Sequence, residues 1–151
     1  MNNENLKIVK KIIYNENQNI NLDEIKNIND AETLHIIAMN YNWDNGLEIP
    51  LEIFRNEICD LSTALLLFYL ADGYLFLENK NKVYESKDLK WKEFLCELYD
   101  KIVSNKFKTQ TIAFSPPLSK GQIYKLRKIN LNIPNYFFES KDGININISN
   151  M

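Results

Sequence analysis

The sequence predicts a mainly α-helical fold, a compact multi-helix domain with a small C-terminal helix and a β-hairpin. Three observations predict it. Apolar residues recur at intervals of three and four through much of the first 104 residues. Short polar residues that favour helix N-caps, and glycines or asparagines that end helices, separate these stretches. Two prolines and an alternation of isoleucine with asparagine follow near the C-terminus. The 151 residues suffice for one buried core.

The N-terminal part of the chain contains three predicted helical segments. Residues 3–14 form the first, and residues 22–28 form a short helix or turn. Residues 30–41 form an amphipathic helix, and Asp30 is its predicted N-cap because a short carboxylate accepts hydrogen bonds from first-turn amides. The apolar positions of this third segment follow the helical repeat, and they are Leu34, Ile37, Ala38 and Tyr41.

A turn and a short helix follow this segment. Asn45 and Gly46 end the preceding helix, since both residues tolerate positive φ. Pro50 suits the first turn of a helix over residues 50–56, where a missing amide hydrogen leaves no hydrogen bond unmade.

The next predicted helix, residues 61–71, is apolar on nearly every face and is therefore expected to be the central buried helix. Asp60 is its predicted N-cap. Asp72 and Gly73 are expected to end it. Residues 74–77 form a short aromatic segment, and an extended conformation is one interpretation of it because so few residues show no clear period.

A later amphipathic helix is predicted over residues 86–104, after a charged loop at residues 79–82. Its polar side carries lysines and glutamates, but of these glutamates only Glu97 has a lysine four residues later, Lys101, so ion pairs add only a few tenths of a kcal/mol. Its apolar stripe consists of Trp91, Phe94, Leu95, Leu98 and Ile102.

Pro116 and Pro117 interrupt the helical pattern, because proline lacks an amide donor. We therefore expect a helical domain over residues 1–114 and a C-terminal appendage over residues 115–151, packed on it.

The appendage is predicted to contain a helix and a hairpin. A capping-box pattern begins a helix over residues 119–129. Residues 136–139 and 144–148 are predicted to form two strands joined by a turn at Asp142 and Gly143.

Three motifs carry a resemblance to a known family. They are LHIIAMNYNWDNG at residues 34–46, CDLSTAL at residues 59–65 and FYLADG at residues 68–73. Over residues 31–107 the chain resembles DUF4274, a bacterial domain of unknown function. Asn45 stands where that family favours a second aspartate. The resemblance implies a small helical bacterial domain with no established activity. It also implies gene neighbourhoods that look like toxin–immunity pairs.

Few residues suggest catalysis. His35 is the only histidine, and its apolar helical surroundings favour a structural role over that of a general base. Cys59 precedes a helix, but the adjacent Asp60 opposes formation of a thiolate. Cys59 and Cys96 are far apart in the sequence, as expected of two reduced thiols. With one histidine and two distant cysteines, the chain lacks the clustered ligands of a zinc site. We expect no catalytic residues, no metal site and no cofactor.

The segment around Gly46 is the candidate partner-binding site. Trp43, Asp44 and Glu48 place an aromatic residue and two carboxylates close together in a loop. An aromatic anchor with carboxylates suits binding to a basic protein. Burial of Trp43 in the core is the alternative interpretation of the same residues.

These observations favour a non-enzymatic protein-binding module, an immunity-type inhibitor of a cognate bacterial toxin. The alternative is a small enzyme or ligand-binding domain with a site around His35, Asp44 and Asp60. A net charge of −2 predicts no nucleic-acid partner, and the longest apolar run, residues 61–70, is about half a membrane span. The polar N-terminus lacks a secretory signal, so we expect a cytoplasmic protein without a membrane partner.

Overall fold

The structure is a computed structural model, and it describes residues 1–16 and 20–147. The described residues contain nine α-helices and two short 3-10 helices. The 3-10 helices are Trp43–Asn45 and Asn135–Phe137. The α-helices are α1 (Asn3–Ile13), α2 (Leu22–Lys26), α3 (Ala31–Asn40), α4 (Glu48–Arg55), α5 (Leu61–Leu70), α6 (Gly73–Glu78), α7 (Lys80–Tyr84), α8 (Leu89–Ser104) and α9 (Lys120–Ile129). The mainly helical prediction is confirmed.

The predicted N-caps begin their helices in the structure. Asp30 caps α3. Asp60 caps α5 by accepting a hydrogen bond of 2.9 Å from the amide of Ser62. Ser119 and Gln122 form a reciprocal capping box at the start of α9. Each cap satisfies amides that the first turn of a helix leaves without an internal partner.

Helix α5 is the central helix, as the sequence predicts. It packs against α3, α4, α6 and α8, so nearly every face is covered. Leu65, Leu67 and Phe68 are buried, whereas Leu66 is half-buried. Because other helices cover this helix on several sides, it has no broad solvent-exposed face for polar residues, which explains its apolar sequence.

The structure of residues 73–84 differs from the sequence prediction at two places. The aromatic segment 74–77 is helical within α6, and the predicted charged loop 79–82 belongs mostly to α7. Asp72 adopts a left-handed φ of 64°, so that only Ala71 and Asp72 connect α5 to α6. A β-carbon on Gly73 would lie 2.4 Å from the Phe68 ring, so this glycine permits the tight turn.

The predicted β-hairpin is wrong for the described residues. Residues 135–137 form a 3-10 helix after Pro134, so no first strand is available. The second half of the predicted hairpin pairs elsewhere: Lys141 bridges Phe114, and Ile144 bridges Ile112. Ile148, at the end of the predicted second strand, lies outside the described residues.

Close backbone approach explains this pairing. A β-carbon on Gly143 would lie 2.2 Å from the carbonyl oxygen of Thr111, so only glycine lets the two segments come together. The Ala113 amide donates to the Ile144 carbonyl at 2.9 Å. The Asp142-Gly143 pair, which suggested a hairpin turn, therefore allows residues 141–144 to pair with residues 111–114.

The C-terminal segment enters the same core as the helices before it. Leu126, Phe137 and Phe138 are buried in that core. The Phe137 ring lies 5.5 Å from the rings of Phe68 and Tyr99. The domain boundary between residues 114 and 115 stays a prediction. Within the described residues, no helix has the length and apolar character needed to cross a membrane.

We predict that Leu65→Ala lowers the free energy of unfolding by about 2–5 kcal/mol, because a buried leucine loses transfer energy and leaves a cavity. Chemical denaturation of the purified variant measures the change. An unchanged midpoint would contradict the central position of α5.

We predict that Phe137→Ala lowers the free energy of unfolding by about 3–5 kcal/mol and lowers the melting temperature of the whole helical signal. The reason is that Phe137 packs on Phe68 of α5 and Tyr99 of α8. Circular dichroism at increasing temperature measures it. A helical block that melts as in the wild type would support an independent domain over residues 1–114.

Candidate functional site

A buried carboxylate lies at the start of the central helix. Asp60 is fully excluded from solvent. Besides capping α5, it accepts hydrogen bonds from the Thr109 hydroxyl at 2.9 Å and the Thr111 amide at 2.8 Å. The neighbouring Ser62 hydroxyl donates to the Ile112 carbonyl at 2.6 Å. Both carboxylate oxygens therefore bind the chain itself, and Asp60 holds segment 109–112 against α5.

His35 lies in the interior next to the same helix. Its side chain is almost fully buried, and its Nδ1 atom lies 2.9 Å from the Thr63 hydroxyl oxygen. Burial lowers the pKa of His35 to about 4, although the charge of Asp60 acts in the opposite direction. His35 is therefore neutral at physiological pH and contacts the protein instead of an open cleft.

The three residues of the alternative enzyme site do not line a common groove. His35 and Asp60 are buried, whereas Asp44 is exposed in the 3-10 helix. Neither of the two grooves described below is lined by any of the three. Burial also raises the pKa of the Cys59 thiol to about 12, so this cysteine is protonated at neutral pH.

The predicted partner-binding loop is held from within. The Asn42 side chain accepts a hydrogen bond from the Asp44 amide at 3.0 Å and so begins the 3-10 helix. Gly46 ends it with a φ of 97°, in the left-handed region that favours glycine. The Tyr41 hydroxyl donates to the Gly46 carbonyl at 2.7 Å. These contacts fix the path of the chain from α3 to α4.

Trp43, predicted as an aromatic anchor, is half-buried against the core. Its ring makes edge contacts with Tyr41 at 5.7 Å and with Phe94 at 6.0 Å. Asp44 and Glu48 are exposed. The loop therefore presents its two carboxylates to solvent, while its tryptophan packs against the core.

A groove between α4 and α8 opens beside this loop. Its volume is about 270 Å³. Leu47, Leu51 and Phe94 supply apolar surface inside it. Its charged lining residues are Glu48, Arg55, Lys90, Glu93 and Glu97. Carboxylates outnumber cations, and Glu48 belongs to both the loop and the groove.

Arg55 and Glu97 form the ion pair that joins the two helices at this groove. The guanidinium donates twice to the carboxylate, at 2.7 and 2.6 Å. This hydrogen bonding lowers the pKa of Glu97 and raises that of Arg55. Both side chains are substantially exposed, so solvent screening keeps the contribution to stability small. Their bidentate geometry nevertheless fixes one wall of the groove.

A larger groove of about 680 Å³ runs beside Asn56, but its charged groups are already paired. Lys26 lies 3.9 Å from Glu52, and Lys108 lies 3.0 Å from Glu57. Asn56 itself donates to backbone carbonyls of the segment that includes α2, which makes it a structural residue. The groove beside the 43–48 loop is therefore the better candidate site.

The sequence did not identify the part of this groove contributed by α8. Lys90, Glu93, Phe94 and Glu97 follow a three- and four-residue spacing, so they share one face of a helix. Nothing in that spacing shows that this face lies against α4. The sequence likewise shows Leu47 and Leu51 only as two leucines about one helical turn apart, and it does not predict that they line a groove.

Comparisons with known proteins identify one family. Residues 29–103 match the family described as "Domain of unknown function (DUF4274)". No curated protein and no solved structure matches the chain. The match spans α3 to α8 except the last residue of α8, and it includes the 43–48 loop and both sides of the adjacent groove.

We predict that His35 makes stability depend on pH between about pH 4, its pKa in the folded protein, and pH 6.5, its ordinary pKa. In that window the unfolded state binds more protons than the folded state, so stability rises with pH, by up to about 3 kcal/mol in total. Unfolding free energies across this range measure it. His35→Gln should remove this part of the slope, and an identical slope in both proteins would contradict the low pKa.

Proposed function

The chain belongs to DUF4274 over residues 29–103, and from this premise we propose that it is a non-enzymatic protein-binding module. More specifically, we propose an immunity-type inhibitor that neutralises a cognate bacterial toxin by binding to it. The partner is a protein with a basic surface, and the binding surface is the 43–48 loop together with the groove between α4 and α8.

One observation carries this proposal, a groove in which apolar residues lie among three carboxylates and two cations. Leu47, Leu51 and Phe94 offer a partner side chain apolar contact. Glu48 and Glu93 stand beside them and suit a lysine or arginine of the partner. Interfaces draw most of their affinity from such small apolar pockets surrounded by polar groups.

The loop adds long-range attraction to this contact. Asp44 and Glu48 are exposed carboxylates of the loop, and Glu48 also lines the groove. Exposed charges of one sign accelerate association with a partner of the opposite sign, and salt screens the effect. The hydrogen bond between Tyr41 and the Gly46 carbonyl holds the loop in place before binding. Such preorganisation reduces the entropy lost on association.

The positions of the candidate catalytic residues also support binding over turnover. His35 is neutral and buried, and Cys59 is protonated and buried, so neither is poised to attack a substrate. The toxin-inhibitor part of the proposal rests on the toxin–immunity neighbourhoods implied by the family resemblance. An immunity protein needs a complementary surface and no reaction of its own.

We predict that the double variant Asp44→Lys/Glu48→Lys binds the product of the adjacent gene about tenfold or more weakly, mainly through slower association. The defect should shrink at high salt, because exposed charges are screened. Association and dissociation rates at two salt concentrations measure it, together with relief of growth inhibition when both genes are expressed.

The matched control is Glu85→Lys/Glu139→Lys, which makes the same change of charge at exposed positions outside the loop and groove. It should bind nearly as the wild type does. Circular dichroism must first show that both variants are folded. Unchanged binding by a folded Asp44→Lys/Glu48→Lys protein would exclude this surface. Absence of any complex with the wild type would exclude the adjacent gene product as the partner.

A further inference from the structure

Charge is distributed very unevenly along this chain. Residues 1–100 contain ten lysines and arginines against eighteen aspartates and glutamates. Residues 101–138 contain six lysines, one arginine and no acidic residue. The small net charge of −2 therefore hides an acidic helical block and a basic C-terminal segment.

Helix α9 displays part of this basic charge on its outer face. Lys120, Tyr124 and Lys128 follow each other at intervals of four residues, so they form one row along the helix. All three are exposed, whereas Leu126 on the opposite face is fully buried. The outer row is therefore free to meet a partner while the inner face keeps α9 attached to the core.

Most of the cations on α9 lack an acidic partner. Lys125 pairs with Glu78 at 3.3 Å. In the part of the chain that the structure describes, Lys120, Arg127 and Lys128 make no ion pair with a carboxylate. Lys128 instead lies over the Tyr124 ring, at 4.5 Å from its centre. Three positive charges are thus left uncompensated on one short helix.

Exposed apolar side chains lie beside these cations. Leu131, just beyond the C-terminal end of α9, is 88% exposed, and Ile129 and Tyr124 are 50% and 63% exposed. Three exposed apolar side chains within eight residues of a basic helix suggest a contact of the protein with something else.

We propose that α9 and the following residues to Leu131 form a peripheral docking surface for an anionic lipid bilayer. The cations would lie at the negatively charged headgroups, and Leu131 and Ile129 would enter the boundary between headgroups and acyl chains. Tyr124 suits the same interface, because its ring is apolar and its hydroxyl is polar.

Charge complementarity and the aliphatic tip both favour a bilayer. The acidic block, residues 1–100, is repelled by an anionic surface, so the charge asymmetry turns α9 towards it. A nucleic acid would use Tyr124 and the cations but would leave Leu131 and Ile129 without a role, because single strands are bound by aromatic stacking and basic grooves. This proposal departs from the sequence-based expectation of no membrane partner, which rested on the lack of a spanning segment; peripheral docking requires no membrane-spanning helix.

This surface is separate from the one assigned to toxin binding. Neither α9 nor Leu131 lines the groove between α4 and α8. The two proposals therefore fail independently: loss of lipid binding leaves the protein partner untouched, and the Asp44→Lys/Glu48→Lys variant retains α9.

The test is sedimentation of the full chain with vesicles of phosphatidylcholine, with and without an equal amount of phosphatidylglycerol. We expect binding to the anionic vesicles only, weakened by added salt. Lys120→Glu/Lys128→Glu should weaken binding about tenfold or more, and Leu131→Ser should weaken it about tenfold. The control Lys7→Glu/Lys87→Glu makes the same charge change at exposed lysines elsewhere and should bind as the wild type does.

Circular dichroism first establishes that each variant is folded; Leu131 is almost fully exposed, so its replacement leaves the core intact. Three results would overturn the proposal: no sedimentation with anionic vesicles, equal binding to neutral vesicles, or an equal loss in the control variant. Tighter binding of a single-stranded RNA oligonucleotide, lost in Lys120→Glu/Lys128→Glu and unaffected by Leu131→Ser, would also overturn it in favour of a nucleic-acid surface.

Discussion

The buried carboxylate of Asp60 is the interaction on which much of the structure depends. A charge removed from water must be met by hydrogen-bond donors, or its burial is very unfavourable. Asp60 finds them in its own helix and in Thr109 and Thr111, about fifty residues away along the chain. The segment that follows α8 is thereby held across the start of α5, and residues 141–144 then pair with it.

This use of polar residues in the interior shapes what the surface can do. His35 and Asp60 are polar groups at the centre of the molecule, and both have partners within the protein. The groups that remain available lie outside, in the acidic groove of α4 and α8 and on the basic face of α9. The acidic block, residues 1–100, and the basic segment, residues 101–138, thus each contribute one candidate surface.

The long helices were predictable, whereas the adjacent short helices α6 and α7 were not. The helical repeat identified α1, α3, α5 and α8, because ten or more residues give several turns of pattern. Helices α6 and α7 have six and five residues, so each provides too little pattern to distinguish a helix from a strand or loop. The Asp142-Gly143 pair suggested a hairpin turn, but Gly143 is required by its approach to the Thr111 carbonyl. That approach involves a segment more than thirty residues earlier.

The sequence by itself determined the helical class, the N-caps at Asp30, Asp60 and Ser119, the central place of α5, and the DUF4274 relationship. Each depends on neighbouring residues, through local hydrogen bonds or a periodic pattern, or on motifs read directly from the chain. Only the tertiary structure decided that α8 lies beside α4 to form the groove. It also decided that Trp43 packs on Phe94, and that Thr109 and Thr111 bind Asp60. These contacts join residues far apart in the chain, and their geometry depends on how all the helices pack together.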